Sequence, residues 1–147
     1  MTGTRPWPSG PGRALAMVTI TVPDYDSAIA YFTDVLGFQL IQDEPLSPEK
    51  RWVVVSPGKG GADILLARAA TPTQTSTIGQ QVGGRVGFFL TTTDFWAHYE
   101  ELKANGVDFI EAPRHEPYGH VVKFRDVYGN LWDLLERSAD APSTCLP

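Results

Sequence analysis

Residues 16–38, AMVTITVPDYDSAIAYFTDVLGF, and residues 86–109, VGFFLTTTDFWAHYEELKANGVDF, carry one pattern written twice. Each gives a short strand, an Asp, a helix, a Gly and a second strand, with thirteen residues from Asp24 to Gly37 and twelve from Asp94 to Gly106. In the first copy Ala16, Val18, Ile20 and Val22 alternate with Met17, Thr19 and Thr21, the period of a strand with one apolar and one mixed face. Asp24 is placed to cap a helix over about 25–36, where Ala28, Ile29, Phe32, Val35 and Leu36 recur at helical spacing until Gly37 stops it.

Strands are expected at about 38–42, 51–56 and 62–67, broken by the Pro-containing DEPLSPEK and by SPGKGG. The second copy predicts a strand at 85–92, a helix at 95–105 with Phe95, Trp96, Tyr99 and Leu102 on one side, and strands near 107–111, 119–125 and 130–136. The order is βαβββ twice, an α+β chain. Module one is expected at 15–67 and module two at 85–137. The Thr- and Gln-rich stretch 68–84 lacks periodicity and is expected to be a linker without structure of its own. Residues 1–14 and 138–147, rich in Pro, Gly, Ser and Ala, are expected to be disordered tails.

Composition narrows the function classes. A formal charge of -5 opposes nucleic-acid binding, which concentrates Lys and Arg on one face. The one cysteine, Cys145, rules out an intrachain disulfide framework or a cysteine metal cluster. No apolar run approaches the ~20 residues that span a bilayer, and the N-terminal stretch lacks the apolar core of a signal peptide, so no membrane partner and a cytoplasmic location are expected.

The repeat, together with VPDYDSAIAYFTDVLGF and RHEPYGHVVKFRDVYGNLWDLLE, resembles the vicinal oxygen chelate superfamily of glyoxalases, bleomycin resistance proteins and extradiol dioxygenases. The resemblance covers about residues 15–137 and implies a single domain whose two modules form a cupped, eight-stranded mixed sheet, commonly as a homodimer. In metal-dependent members a histidine stands seven residues before the Asp that opens the helix, which here falls on Met17 and, in the second copy, on Gly87. Two family acids on the last strands correspond to Asp63 and Asp133.

With both histidine positions replaced, the expectation is a metal-independent small-molecule binding protein with no cofactor, similar to the resistance branch. Its partner would be a flat small molecule, aromatic or cationic, because two carboxylates in apolar stripes favour a cation and aromatic faces add stacking or cation–π attraction. The candidate cavity set is Met17, Thr19, Asp63, Gly87, Phe89, Thr91, Trp52, His115, Tyr118 and Trp132. Phe89 is a candidate stacking floor opened by the missing side chain of Gly87. His115 and His120 flank the EPYG turn and are candidates for the cavity mouth, His98 for the helix surface, and Arg51 and Arg114 for an anion clamp or rim charges. The alternative is a glyoxalase- or dioxygenase-like lyase or isomerase with a divalent metal on Asp63 and Asp133. A third reading uses Asp133 as a general base without metal. The GKGG run lacks the following helix and Ser or Thr of a phosphate loop.

Overall fold

A computed structural model describes residue 6 and residues 8–139. Of the tails expected at either end, residues 1–5, 7 and 140–147, Cys145 among them, lie outside the described residues, while residues 6 and 8–14 are exposed and carry neither helix nor strand.

Module one runs β1 (Met17–Val22), α1 (Tyr25–Ala30), β2 (Gln39–Pro45), β3 (Arg51–Ser56) and β4 (Asp63–Arg68). Its sheet has the order β1-β4-β3-β2, with β1 parallel to β4 and the other pairs antiparallel. Asp24 caps α1 as expected, its carboxylate accepting from Ser27 N–H at 2.8 Å. The expected α-helix over 25–36 is α-helical only to Ala30 and continues as one π turn, Tyr31–Val35. Thr33 explains part of this, because its hydroxyl donates to Ile29 C=O at 2.7 Å, a side-chain bond that bends helices. Gly37 then reverses the chain at φ +75°.

A short helix, α2 (Pro72–Ser76), lies in the linker, capped by Thr71 and opened by Pro72. Module two follows as β5 (Val86–Thr91), α3 (Phe95–Ala104), β6 (Asp108–Phe109), β7 (Arg114–Glu116), β8 (Gly119–Arg125) and β9 (Leu131–Arg137). Asp94 caps α3 through Ala97 N–H, repeating the first copy.

The α+β class and the doubled module hold, while the strand count and closure differ from the expected single eight-stranded sheet. Among the described residues nine strands lie in two sheets, one of four and one of five. The strand expected at 107–111 is shortened to β6, and a further strand not expected from the sequence, β7, pairs with β8; Pro113, with no N–H to add to a ladder, lies between the two. Glu111 substitutes its side chain there, accepting from Lys123 N–H at 3.0 Å.

The two modules share one apolar core. Phe32 and Phe38 of module one meet Trp132 of module two with ring centroids 6.3 and 5.9 Å apart, and Trp132 also stacks on Phe88 at 4.7 Å and Phe124 at 5.7 Å. Ile20, Val22, Phe32, Val53, Leu66 and Phe124 are fully buried in it. Full burial of each such side chain contributes ~1.5–3 kcal/mol.

The linker joins that structure on both sides, contrary to the expectation that it would have none. Gly79 lies so close to the β8–β9 turn that a Cβ there would stand 2.0 Å from Tyr128 O. Two residues on, the Gln81 amide docks on the free edge of β1, accepting from Thr21 N–H at 2.7 Å and donating to Thr19 C=O at 2.8 Å. A side-chain amide has the donor and acceptor of a peptide group, so Gln81 satisfies β1 as a neighbouring strand would.

Candidate functional site: a cleft between the two first strands

β1 and β5 are the edge strands of their sheets, and a cleft of about 580 Å³ opens between them. One wall is Val18, Thr19 and Ile64; the other is Gly87 to Thr91, with Trp132 at the floor. The loop Pro57–Ala62 and the linker residues Gln81 and Val82 complete the lining. Apolar and aromatic surface therefore dominates, with Thr19, Thr91, Gln81 and Lys59 as the polar exceptions. In β5, Thr92 N–H bonds to Leu135 C=O, so by alternation the peptide groups of Phe89 and Thr91 point off the open edge.

The floor is held by an unusually complete set of bonds. Asp126, 3% exposed, accepts from the N–H groups of Tyr128 and Asn130 at 3.0 Å, from Asn130 Nδ2 at 2.9 Å and from Trp132 Nε1 at 3.0 Å. The carboxylate thus fixes both the turn and the indole plane.

Of the residues expected at the site, Thr19, Gly87, Phe89, Thr91 and Trp132 line the cleft. Phe89 is 51% exposed, a large ring not taken up by the core. The space left by Gly87 is not empty, however, because a Val82 methyl lies 3.1 Å from where its Cβ would be. The linker supplies the missing side chain.

Met17, Asp63, Trp52, His115, Tyr118 and Asp133 are not among the lining residues. Met17 and Asp63 pair across β1 and β4, both half-buried. Trp52 donates its Nε1 to Gln42 at 3.1 Å, and Tyr118 is half-buried at the β7–β8 turn, where its C=O accepts from Ser138 N–H. His115 and His120 are register partners on the α3 side: His120 stacks on Phe95 with centroids 5.4 Å apart and meets His115 at 4.7 Å. The tight β7–β8 hairpin sets that facing, so neither reaches the cleft mouth. His98 is exposed and bonds to Thr92 Oγ1 through Nδ1. Arg51 is forked onto Asp43 at 2.7 and 3.1 Å and reaches Asp26 at 2.8 Å, while Arg114 pairs with Glu111 and Glu116. Neither is a free anion clamp.

Asp133 fits the sequence argument in burial but not in place. It is 4% exposed and its Oδ1 has no hydrogen-bond partner. Burial pushes its carboxyl above the usual range, opposed by the positive charges of Lys123 and Arg114 and reinforced by Glu111. Phe89 and Lys123 are its register neighbours on β5 and β8.

The donor set does not suit the divalent metal of the metal-dependent relatives. Among the described residues no three His, Cys, Asp or Glu side chains are grouped to share an ion. At the four corresponding positions stand a thioether, which prefers soft Cu(I), a glycine, and two carboxylates in different modules.

A duplicated βαβββ chain with a ligand-sized cleft between its first strands belongs to a recognisable class of small α+β scaffolds. A family model for the Glyoxalase/Bleomycin resistance protein/Dioxygenase superfamily matches residues 14–134, and the chain belongs to that superfamily. An uncharacterized protein of Shewanella frigidimarina is 45% identical over 132 residues, covering 88% of this chain and 98% of its own. Among solved structures, UcmS2 is 31% identical with a TM-score of 0.73, covering 84% of this chain and 98% of its own. TnmS3, an antibiotic binding protein from Streptomyces sp. CB03234, is 26% identical with a TM-score of 0.69, covering 86% and 97%. No described helix is long and apolar enough to cross a membrane.

Proposed function

We propose that this chain is a small-molecule binding protein that holds a planar aromatic compound in the β1–β5 cleft and needs no resident metal to do so. The observation that carries the reading is the composition of the cleft: about 580 Å³ lined by Phe88, Phe89, Leu90, Val18, Ile64 and Trp132, with no carboxylate. That size and apolar character suit a small-molecule site with a few orienting polar groups. The resemblance to an antibiotic binding protein supports the same class of ligand. The reading includes a homodimer, consistent with Phe89, Val82 and Ile41 remaining as exposed apolar surface.

The test is calorimetric titration with a panel of polycyclic aromatic antibiotics, before and after exhaustive chelation. Binding at one site per chain, unchanged by chelation and weakened about tenfold in Phe89→Ala, is the expected result. Loss of binding on chelation, restored by a divalent ion, would overturn metal independence.

A further inference from the structure

The charge pattern of the cleft says more about the ligand. Asp63 and Asp133, the two acids that suggested a cation, lie outside the lining. Lys59, in the Pro57–Ala62 loop, is the only charged side chain among the described lining residues. It takes part in none of the ion pairs of the described residues, whereas Arg51 and Arg114 are engaged by carboxylates. The loop around it is built to expose backbone. Gly58 and Gly61 have nothing within 4 Å of a notional Cβ, and Gly60 has φ +90°, which a side chain would strain. Uncovered backbone and one ammonium therefore border a largely apolar space. Further donors and acceptors come from the open edge of β5.

Resting on the aromatic-binding reading, we propose that the cleft selects planar aromatic compounds that carry an acidic group. The rings lie against Phe88, Phe89 and Trp132, and the anionic group lies at the Gly58–Gly61 loop against Lys59. The chain's overall charge of -5 works against any anion at long range, so the preference depends on this local cation and falls as salt screens it. A cationic ring compound would meet the ammonium with no carboxylate in the lining to offset it.

A matched pair of fluorescent probes tests this: anilinonaphthalene sulfonate, which is anionic, and N-phenyl-naphthylamine, which has the same rings without the sulfonate. Both are titrated into the full chain and into Lys59→Gln, with mutual displacement to establish a shared site. The expected result is one site per chain, an anionic probe bound about fivefold more tightly than the neutral one, and loss of that margin in Lys59→Gln with the neutral probe unchanged. Equal affinities in the unaltered chain, or a margin that survives Lys59→Gln, would overturn the acidic-ligand inference and leave the aromatic cleft intact. If neither probe binds with defined stoichiometry, the aromatic-binding reading falls, and this inference with it.

Discussion

The last turns of the two modules occupy equivalent places and are built in opposite ways. Between β8 and β9, Asp126 gathers four hydrogen bonds and locks DVYGN around a buried carboxylate. Between β3 and β4, the glycine-rich SPGKGGA stretch has no such anchor among the described residues, where its one side-chain hydrogen bond runs from Ser56 Oγ to Gly58 C=O at 3.0 Å. The first strands both line the cleft but differ at their edges, that of β1 being closed by Gln81 while that of β5 stays open. Duplication thus provides two copies of each part, and their divergence lets one copy be satisfied internally while the other stays open to the cleft.

The sharpest way to break the contrast is Asp126→Ala. It strands four donors, including the Trp132 indole that floors the cleft and joins both modules. Each unsatisfied buried donor costs ~1–3 kcal/mol, and with partial relaxation a loss of about 3–5 kcal/mol is expected in urea unfolding. Removing the lysine from the other turn with Lys59→Gln should leave stability within about 0.5 kcal/mol. Comparable losses from the two changes would erase the distinction between the turns.

Next in size is Gly79→Ala. The added methyl would meet Tyr128 O at 2.0 Å, and the residue sits at φ +72°, where L side chains are strained. A destabilisation of about 2–4 kcal/mol is expected from the clash and the backbone together. A melting temperature within a degree of the parent would show that the linker does not rest on the Asp126 turn.

A smaller effect is expected from Gln81→Leu, which keeps the bulk and removes the amide. Thr19 C=O and Thr21 N–H would lose partners at a half-buried edge open in part to water, so about 1–2 kcal/mol is expected. The more specific readout is hydrogen exchange at the Thr21 amide, which should accelerate while Ile20, bonded on the β4 side, is unaffected. Unchanged exchange at Thr21 would remove the case for a plugged β1.

How much of this was legible in the sequence follows the range of the forces involved. The strand period of Met17–Val22, the caps Asp24 and Asp94 and the stops Gly37 and Gly106 are local signals, and they place the elements within a few residues. The apolar stripe around Asp133 marked a carboxylate that is indeed buried, although its Oδ1 lacks the hydrogen-bond partner that the cost of burial leads one to expect. The cleft was only half legible. Phe89, Thr91 and Thr19 follow from alternation, but the roles of Gln81 and Val82 depend on where a polar, aperiodic segment lands in space. Nothing in the periodicity of 68–84 encodes that landing. The histidines failed for the same reason, since the tight hairpin at Pro117–Gly119 sets their facing and spacing alone does not.

The smallest effect concerns the other buried acid, and its sign is set by linkage. Asp126 and Asp133 are almost equally buried, yet one accepts four bonds and the other leaves Oδ1 with none. Because burial raises the carboxyl of Asp133 above its ordinary 3.8, the folded chain holds this proton over a range where the unfolded chain has released it. Stability from this group is therefore present at low pH and is lost as pH rises through the raised value. Asp133→Asn removes the titration, so the variant should gain stability relative to the parent on going from pH 4 to pH 7, by a modest amount because Lys123 and Arg114 oppose the shift. Parallel stability curves for the two proteins would show that Asp133 has a partner after all and that the two carboxylates are alike.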